Sequence, residues 1–124
     1  MDNLYYIPEI EEFHVGFEFE YANSRKWTKC NVEIYFDFFE SLVEDIVSEK
    51  IRVKYLDRQD IENCGFIFTG SENSNILWFR NKSENKLTFR KDVVKIFDEF
   101  NLPVFSGKIK NKSELKKLLK QIGL

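Results

Sequence analysis

The stretch Glu11–Tyr21, E-E-F-H-V-G-F-E-F-E-Y, constrains this chain more than any other. Phe13, Val15, Phe17, Phe19 and Tyr21 fall on every second position, with His14, Gly16, Glu18 and Glu20 between them. Successive side chains of a strand point to opposite faces, so the spacing predicts a strand with one aromatic face and one polar face. Five large side chains on one face have to be buried, which makes this strand the expected anchor of a sheet. The 13 Phe, 5 Tyr and 2 Trp of the whole chain suit the pleated, half-buried surfaces of a sheet-rich core.

The remaining patterns predict an α+β fold. Residues 1–10 read as an N-terminal arm, broken by Pro8. Trp27–Phe36 alternates again and forms a hairpin with the opening strand. The period then lengthens: Phe38, Phe39, Leu42, Val43 and Ile46 predict a helix over 38–49, with Asp37 as its cap. Ile51–Tyr55 is a short strand with Ile51, Val53 and Tyr55 inward. Asp57 to Gly65 predicts a brief helix capped by Asp57. Phe66–Phe68, Ile76–Arg80 and Leu87–Arg90 read as strands, and Thr69–Asn75 between the first two as a loop. Val93–Phe100 fits a helix or a strand; length and β-branching favour a hairpin with 104–109. Asn111 caps a helix over 112–122, with Glu114 placed to reach back to it and Leu115, Leu118, Leu119 and Ile122 as its apolar stripe. The expected architecture is a single domain, 1–124. A mainly antiparallel sheet of six or seven strands is covered by the helices through Leu42, Val43, Ile46, Leu115, Leu118 and Leu119.

Charge is unevenly placed. Residues 1–50 carry 12 Asp/Glu against 4 Lys/Arg, a balance of −8, and residues 51–124 carry 9 against 15, a balance of +6. Strands from both halves are expected to pair, which would mingle the charges over one surface. No run reaches the roughly 18 apolar residues of a membrane span. The acidic start M-D-N-L-Y-Y-I-P-E lacks the basic region and apolar run of a secretory signal. A cytoplasmic protein without a membrane partner is expected. Cys30 and Cys64 read as two buried free thiols.

Three stretches, I-P-E-I-E-E-F-H-V-G-F-E-F-E at 7–20, I-R-V-K-Y-L-D-R-Q-D-I-E-N-C-G-F at 51–66 and F-S-G-K-I-K-N-K-S-E-L-K-K-L-L-K-Q-I-G-L at 105–124, form a recognisable set. Together they span 50 of the 124 residues. They resemble small hypothetical proteins of phages, prophages and mobile elements of Bacteroidetes-type bacteria. The resemblance implies a phage or mobile-element origin and a cytoplasmic setting in the bacterial host. It transfers no activity and no functional residue.

Two sets of residues are candidates for chemistry. His14, Glu18 and Glu20 share the polar face of the opening strand, where two glutamates and an imidazole could hold Mg²⁺ or Mn²⁺, or act as an acid/base pair. The plainer reading is a solvated face with Lys29 pairing a glutamate. Lys108, Lys110 and Lys112 begin a lysine-rich C-terminal stretch. Arg52, Lys54, Arg80, Arg90 and Lys91 could extend it into an anion-binding patch, with Trp78 or Phe89 as a stacking face. Its plainer reading is the polar side of an amphipathic helix. Phosphate-binding glycine loops, nucleophile elbows and histidine-rich metal patterns are absent from the sequence, and no cofactor is expected. An acidic pI near 5.5 counts against a dedicated nucleic-acid binder. Three functions follow in order. The first is a non-enzymatic binding protein acting on a host or phage protein. The second is sequestration of a nucleotide signal of antiviral defence. The third is a metal-dependent enzyme using His14, Glu18 and Glu20.

Overall fold

The computed structural model describes residues 4–14, 16–23, 26–31, 39–72 and 75–124. It is α+β and antiparallel. Its described strands divide between a four-stranded and a five-stranded sheet rather than filling one sheet of six or seven. The chain forms two compact units, Met1–Tyr55 and Leu56–Leu124.

In the first unit the sheet order is β1 (Tyr5–Tyr6), β4 (Ile51–Lys54), β2 (Glu18–Asn23), β3 (Lys26–Asn31). The N-terminal segment is thus tied down as a strand, with Tyr5 opposite Lys54 and Tyr6 opposite Val53. The opening strand is shorter than the alternation predicts. Ile10–Glu12 is a 3₁₀ turn, held by the Glu12 carboxylate, which accepts from the Glu9 N–H at 2.8 Å and from the Tyr6 hydroxyl at 2.6 Å. A second turn follows, in which the Phe17 N–H donates to the His14 carbonyl at 2.9 Å and Gly16 sits at φ 90°. That left-handed geometry suits glycine, which has no Cβ to clash. Local hydrogen bonds of this kind end the strand at Glu18, and Val15 lies outside the described residues. The aromatic residues are buried all the same: Phe13 and Phe17 pack edge to face at 4.8 Å, with Phe19 at 5.3 Å from Phe13. Ile51 and Val53 complete this core, with Tyr6, Ile10, Tyr21 and Ile46 against it.

Helix α1 (Phe39–Val47) follows the expected range and reaches the core through Ile46. Val43, expected inward, is exposed, and the side chain of Leu42, the Asp37 cap and the strand residues 32–36 lie outside the described residues. Tyr55 is also exposed rather than inward, because the strand has already ended; its ring rests against Tyr6 at 4.7 Å.

The second unit opens with α2 (Arg58–Asn63). Asp57 accepts from the Asp60 N–H at 2.9 Å, and Asp60 accepts from the Asp57 N–H at 3.3 Å, a reciprocal cap. A meander follows: β5 (Ile67–Glu72), β6 (Ile76–Arg80), β7 (Lys86–Arg90), β8 (Val93–Phe97) and β9 (Pro103–Lys108), neighbours in that order. Residues 69–72, expected in a loop, continue β5 through an irregularity between Phe68 and Gly70. A glycine at the bulge lets pairing resume instead of ending. The hairpin expected at 93–109 is present. Asp98 Oδ1 accepts from the N–H groups of Phe100 and Leu102, both at 2.9 Å, and Asn101 takes φ 64°.

Helix α3 (Lys112–Gln121) closes the unit. Ile61 of α2 and Leu115 and Leu119 of α3 share one buried cluster with Phe79, Leu87, Val94 and Ile96 of the sheet. Both helices therefore cover the same face, the inner one. The α3 cap is as expected: Asn111 Oδ1 accepts from the Glu114 N–H at 2.8 Å. The Glu114 carboxylate reaches back one residue further than expected, to the Lys110 N–H at 3.2 Å. Asn111 is only 3% exposed, so no water replaces it easily. Asn111→Ala is expected to lower stability by about 1–2 kcal/mol, read as a reduced denaturation midpoint with unchanged slope.

Neither cysteine forms a disulfide, and both are half-buried rather than fully buried. No helix among the described residues is long and apolar enough to cross a membrane.

Candidate binding face

Because β-strand side chains alternate, the five-stranded sheet leaves its second face to the residues between the core positions. Register defines that outer face in rows. One row runs Ile67, Arg80, Lys86, Phe97 and Pro103. The next runs Gly70, Trp78, Thr88, Lys95 and Ser106. In a third, Arg90, Val93 and Lys108 are opposite one another. Every Lys and Arg within these five strands is on the outer face: Arg80, Lys86, Arg90, Lys95 and Lys108. Their one carboxylate is Glu72, at the β5 edge.

The face has an aromatic centre. Trp78 of β6 and Phe97 of β8 stack with ring centroids 6.3 Å apart and planes 18° from parallel. Thr88, on the strand between theirs, is 8% exposed. Glu72 accepts from the Trp78 indole N–H at 3.3 Å, which orients the ring. The cations around it are loosely held. Arg80 is 3.7 Å from Glu84, Lys108 is 4.0 Å from Asp92, and Lys86 donates to Asn101 Oδ1 at 2.7 Å. Arg90 and Lys95 are exposed and make no ion pair among the described residues.

The expected anion patch is thereby divided. Trp78, Arg80, Arg90 and Lys108 belong to the outer face, and Lys91 lies in the β7–β8 turn. Phe89 alternates to the inner face, where it packs against the core instead of offering a stacking surface. Lys110 lies in the β9–α3 connection, where its carbonyl accepts from the Leu56 N–H at 2.8 Å. Lys112 opens α3, on the side of the covering helix. Arg52 and Lys54 lie on β4 of the first unit. Arg52 has a structural task there: its guanidinium sits between the rings of Tyr5 at 3.7 Å and Trp27 at 4.2 Å. Its Nε and Nη2 both reach Glu20 Oε1, at 2.8 and 2.7 Å. Lys29 is opposite Glu20 in register, yet the carboxylate turns to Arg52.

The row of His14, Glu18 and Glu20 does not form. His14 precedes the strand, in the turn closed by Phe17, and its ring packs edge-on to Phe17 at 5.7 Å. Among the described residues no three His, Cys, Asp or Glu side chains gather as a metal site. Lys86, Lys95 and Phe97 escaped the sequence reading. A signal existed in the alternation of Val93, Lys95 and Phe97 around Val94 and Ile96, but 93–100 also fitted a helical period, which left their direction open.

The charge asymmetry also takes a definite form. β4, the first strand of the second half, pairs with β1 and β2 of the first half, as expected, while β5 to β9 pair only with one another, so the charge balance differs by unit. Residues 56–124 carry 13 Lys/Arg against 9 Asp/Glu, a balance of +4, and residues 1–55 carry 6 against 12, a balance of −6.

The fold and this face define an α+β protein with a basic, aromatic sheet platform. No protein-family model matches the chain, and neither the curated proteins nor the solved structures searched contain a match.

Proposed function

We propose that this is a non-enzymatic binding protein whose ligand is an anion bearing a planar ring, a nucleotide-like molecule, held on the outer face of the five-stranded sheet. The observation that carries the reading is the stacked Trp78–Phe97 pair set among Arg80, Lys86, Arg90, Lys95 and Lys108. Aromatic rings stack on bases of any kind, and the cations attract phosphates. This moves the nucleotide reading ahead of the protein partner in order of support. Phage or mobile-element origin and a cytoplasmic setting belong to the same proposal, on the three quoted segments alone.

The chain has two tryptophans, Trp27 and Trp78. In a Trp27→Phe protein Trp78 is the sole reporter. Titration with ATP or an oligothymidylate is expected to quench its fluorescence, with the ligand recovered chemically intact. Lys95→Glu should weaken binding several-fold without altering the circular dichroism. Absence of quenching with both ligands would sink the proposal.

One observation favours a protein partner as second reading. Phe100, Leu102 and Val104, at the β8–β9 turn and the start of β9, are 74%, 59% and 46% exposed. Neighbouring exposed apolar side chains of this kind mark contact surfaces. A single co-purifying protein, lost with Phe100→Asp, would establish it.

A further inference from the structure

We infer that the outer face takes a single-stranded polynucleotide segment rather than a free nucleotide. This rests on the nucleotide-like ligand proposed above and narrows it.

The first ground is where the cations lie relative to the rings. Same-face residues on one strand are about 6.6–6.8 Å apart. Lys86 and Arg90 therefore lie on either side of Thr88 along β7, about 13 Å from one another. Arg80 extends the first row and Lys108 the third, while Lys95 stands in the row of Trp78. A free nucleotide presents its phosphates on one side of its base. A strand crossing the face presents one before and one after each base, matching cations on both sides of the aromatic pair.

The second ground is shape. Sites for small molecules enclose most of their ligand's surface. Here the ligand would lie on a sheet face whose Arg80, Arg90, Lys95, Ser106 and Lys108 are all exposed. An open platform suits a chain that enters at one end and leaves at the other.

The third ground is charge complementarity. The acidic pI belongs to the whole chain, whereas the unit that owns the face carries +4. Phosphate attraction depends on the local field, not on the sum over the chain. No Asn, Gln or Asp lies on the outer face within the strands to read base edges, and three of the five cations are lysines. The expected recognition is sequence-tolerant, through stacking and phosphates.

The test is fluorescence anisotropy on the intact protein with three probes: a labelled oligothymidylate of about 12 nucleotides, within the roughly 4–16-nucleotide sites of single-strand-binding folds, the corresponding duplex, and labelled ATP. The oligothymidylate should bind at least about tenfold more tightly than ATP and than the duplex. With four phosphate contacts the plot of log K against log salt should slope at about −3, from roughly −0.7 per contact on single strands. Trp78→Ala should weaken oligothymidylate binding by about ten- to a hundredfold. The surface variant Arg90→Glu/Lys95→Glu should do the same and flatten the slope, and it tests the face even if Trp78→Ala unfolds. Equal affinity for ATP overturns this inference and leaves the proposed function standing. Preference for the duplex, or oligothymidylate binding unchanged by both variants, overturns the inference as well. Failure of all three probes to bind overturns both.

Discussion

Leu87→Ala is expected to cost the protein about 2–5 kcal/mol, enough to remove most of the stability of a marginally stable domain. Leu87 is 0% exposed, on the central strand of the five-stranded sheet. It has Phe79 opposite on one side and Ile96 on the other, and belongs to the cluster that holds Leu115 and Leu119 of α3. Shortening it leaves a cavity that these neighbours, fixed by their own strands and helix, fill only in part. The measurement is chemical denaturation followed by circular dichroism. The midpoint should fall steeply for Leu87→Ala and much less for Leu87→Ile, which keeps the volume. A change below about 1 kcal/mol in the alanine variant would mean that Leu87 is not packed as described.

Arg52→Ala is the second large effect, expected at about 2–3 kcal/mol from two cation–π contacts and a charge-assisted pair. The Glu20 side chain is only 17% exposed, so removing its partner strands a carboxylate with little water to replace the guanidinium. Arg52→Lys should restore less than half of the loss. An ammonium lacks the flat surface that lies between Tyr5 and Trp27 and cannot present two donors from one plane. Glu20→Gln should be milder than Arg52→Ala, because the stack on the two rings survives. If Arg52→Lys and Arg52→Ala are equally stable, the sandwich contributes nothing. A thermal melt of the three variants decides it, and it also separates Arg52 from a ligand-binding role, since loss of a ligand cation does not by itself unfold a protein.

The opening stretch shows how far a period can be read. Phe13, Phe17, Phe19 and Tyr21 do line the core side, as alternation requires. Yet only Glu18 onward is strand, because residues four apart across a tight turn can bury on the same side as residues two apart in a strand. The carboxylate of Glu12 and the left-handed Gly16 decided between them, and both act through hydrogen bonds and dihedrals that hydrophobicity does not encode. His14 therefore left the face it was expected to share with Glu18 and Glu20.

The α+β class, the antiparallel pairing, the helices near 38–49 and 112–122, the Asp57 and Asn111 caps and the β8–β9 hairpin were legible from sequence, because each rests on a local period or a side chain bonding its own backbone a few residues away. The division of the strands into two sheets was not, since which strands pair depends on contacts distant in sequence. The same holds for the candidate face. Trp78, Arg90 and Lys108 stood out as residue types, but only the register of β6, β7, β8 and β9 set them beside Lys86, Lys95 and Phe97. Sequence by itself determined which residues are cationic and which are aromatic. The tertiary structure alone decided that they share one surface, because a cross-strand neighbour is chosen by sheet pairing and not by position along the chain.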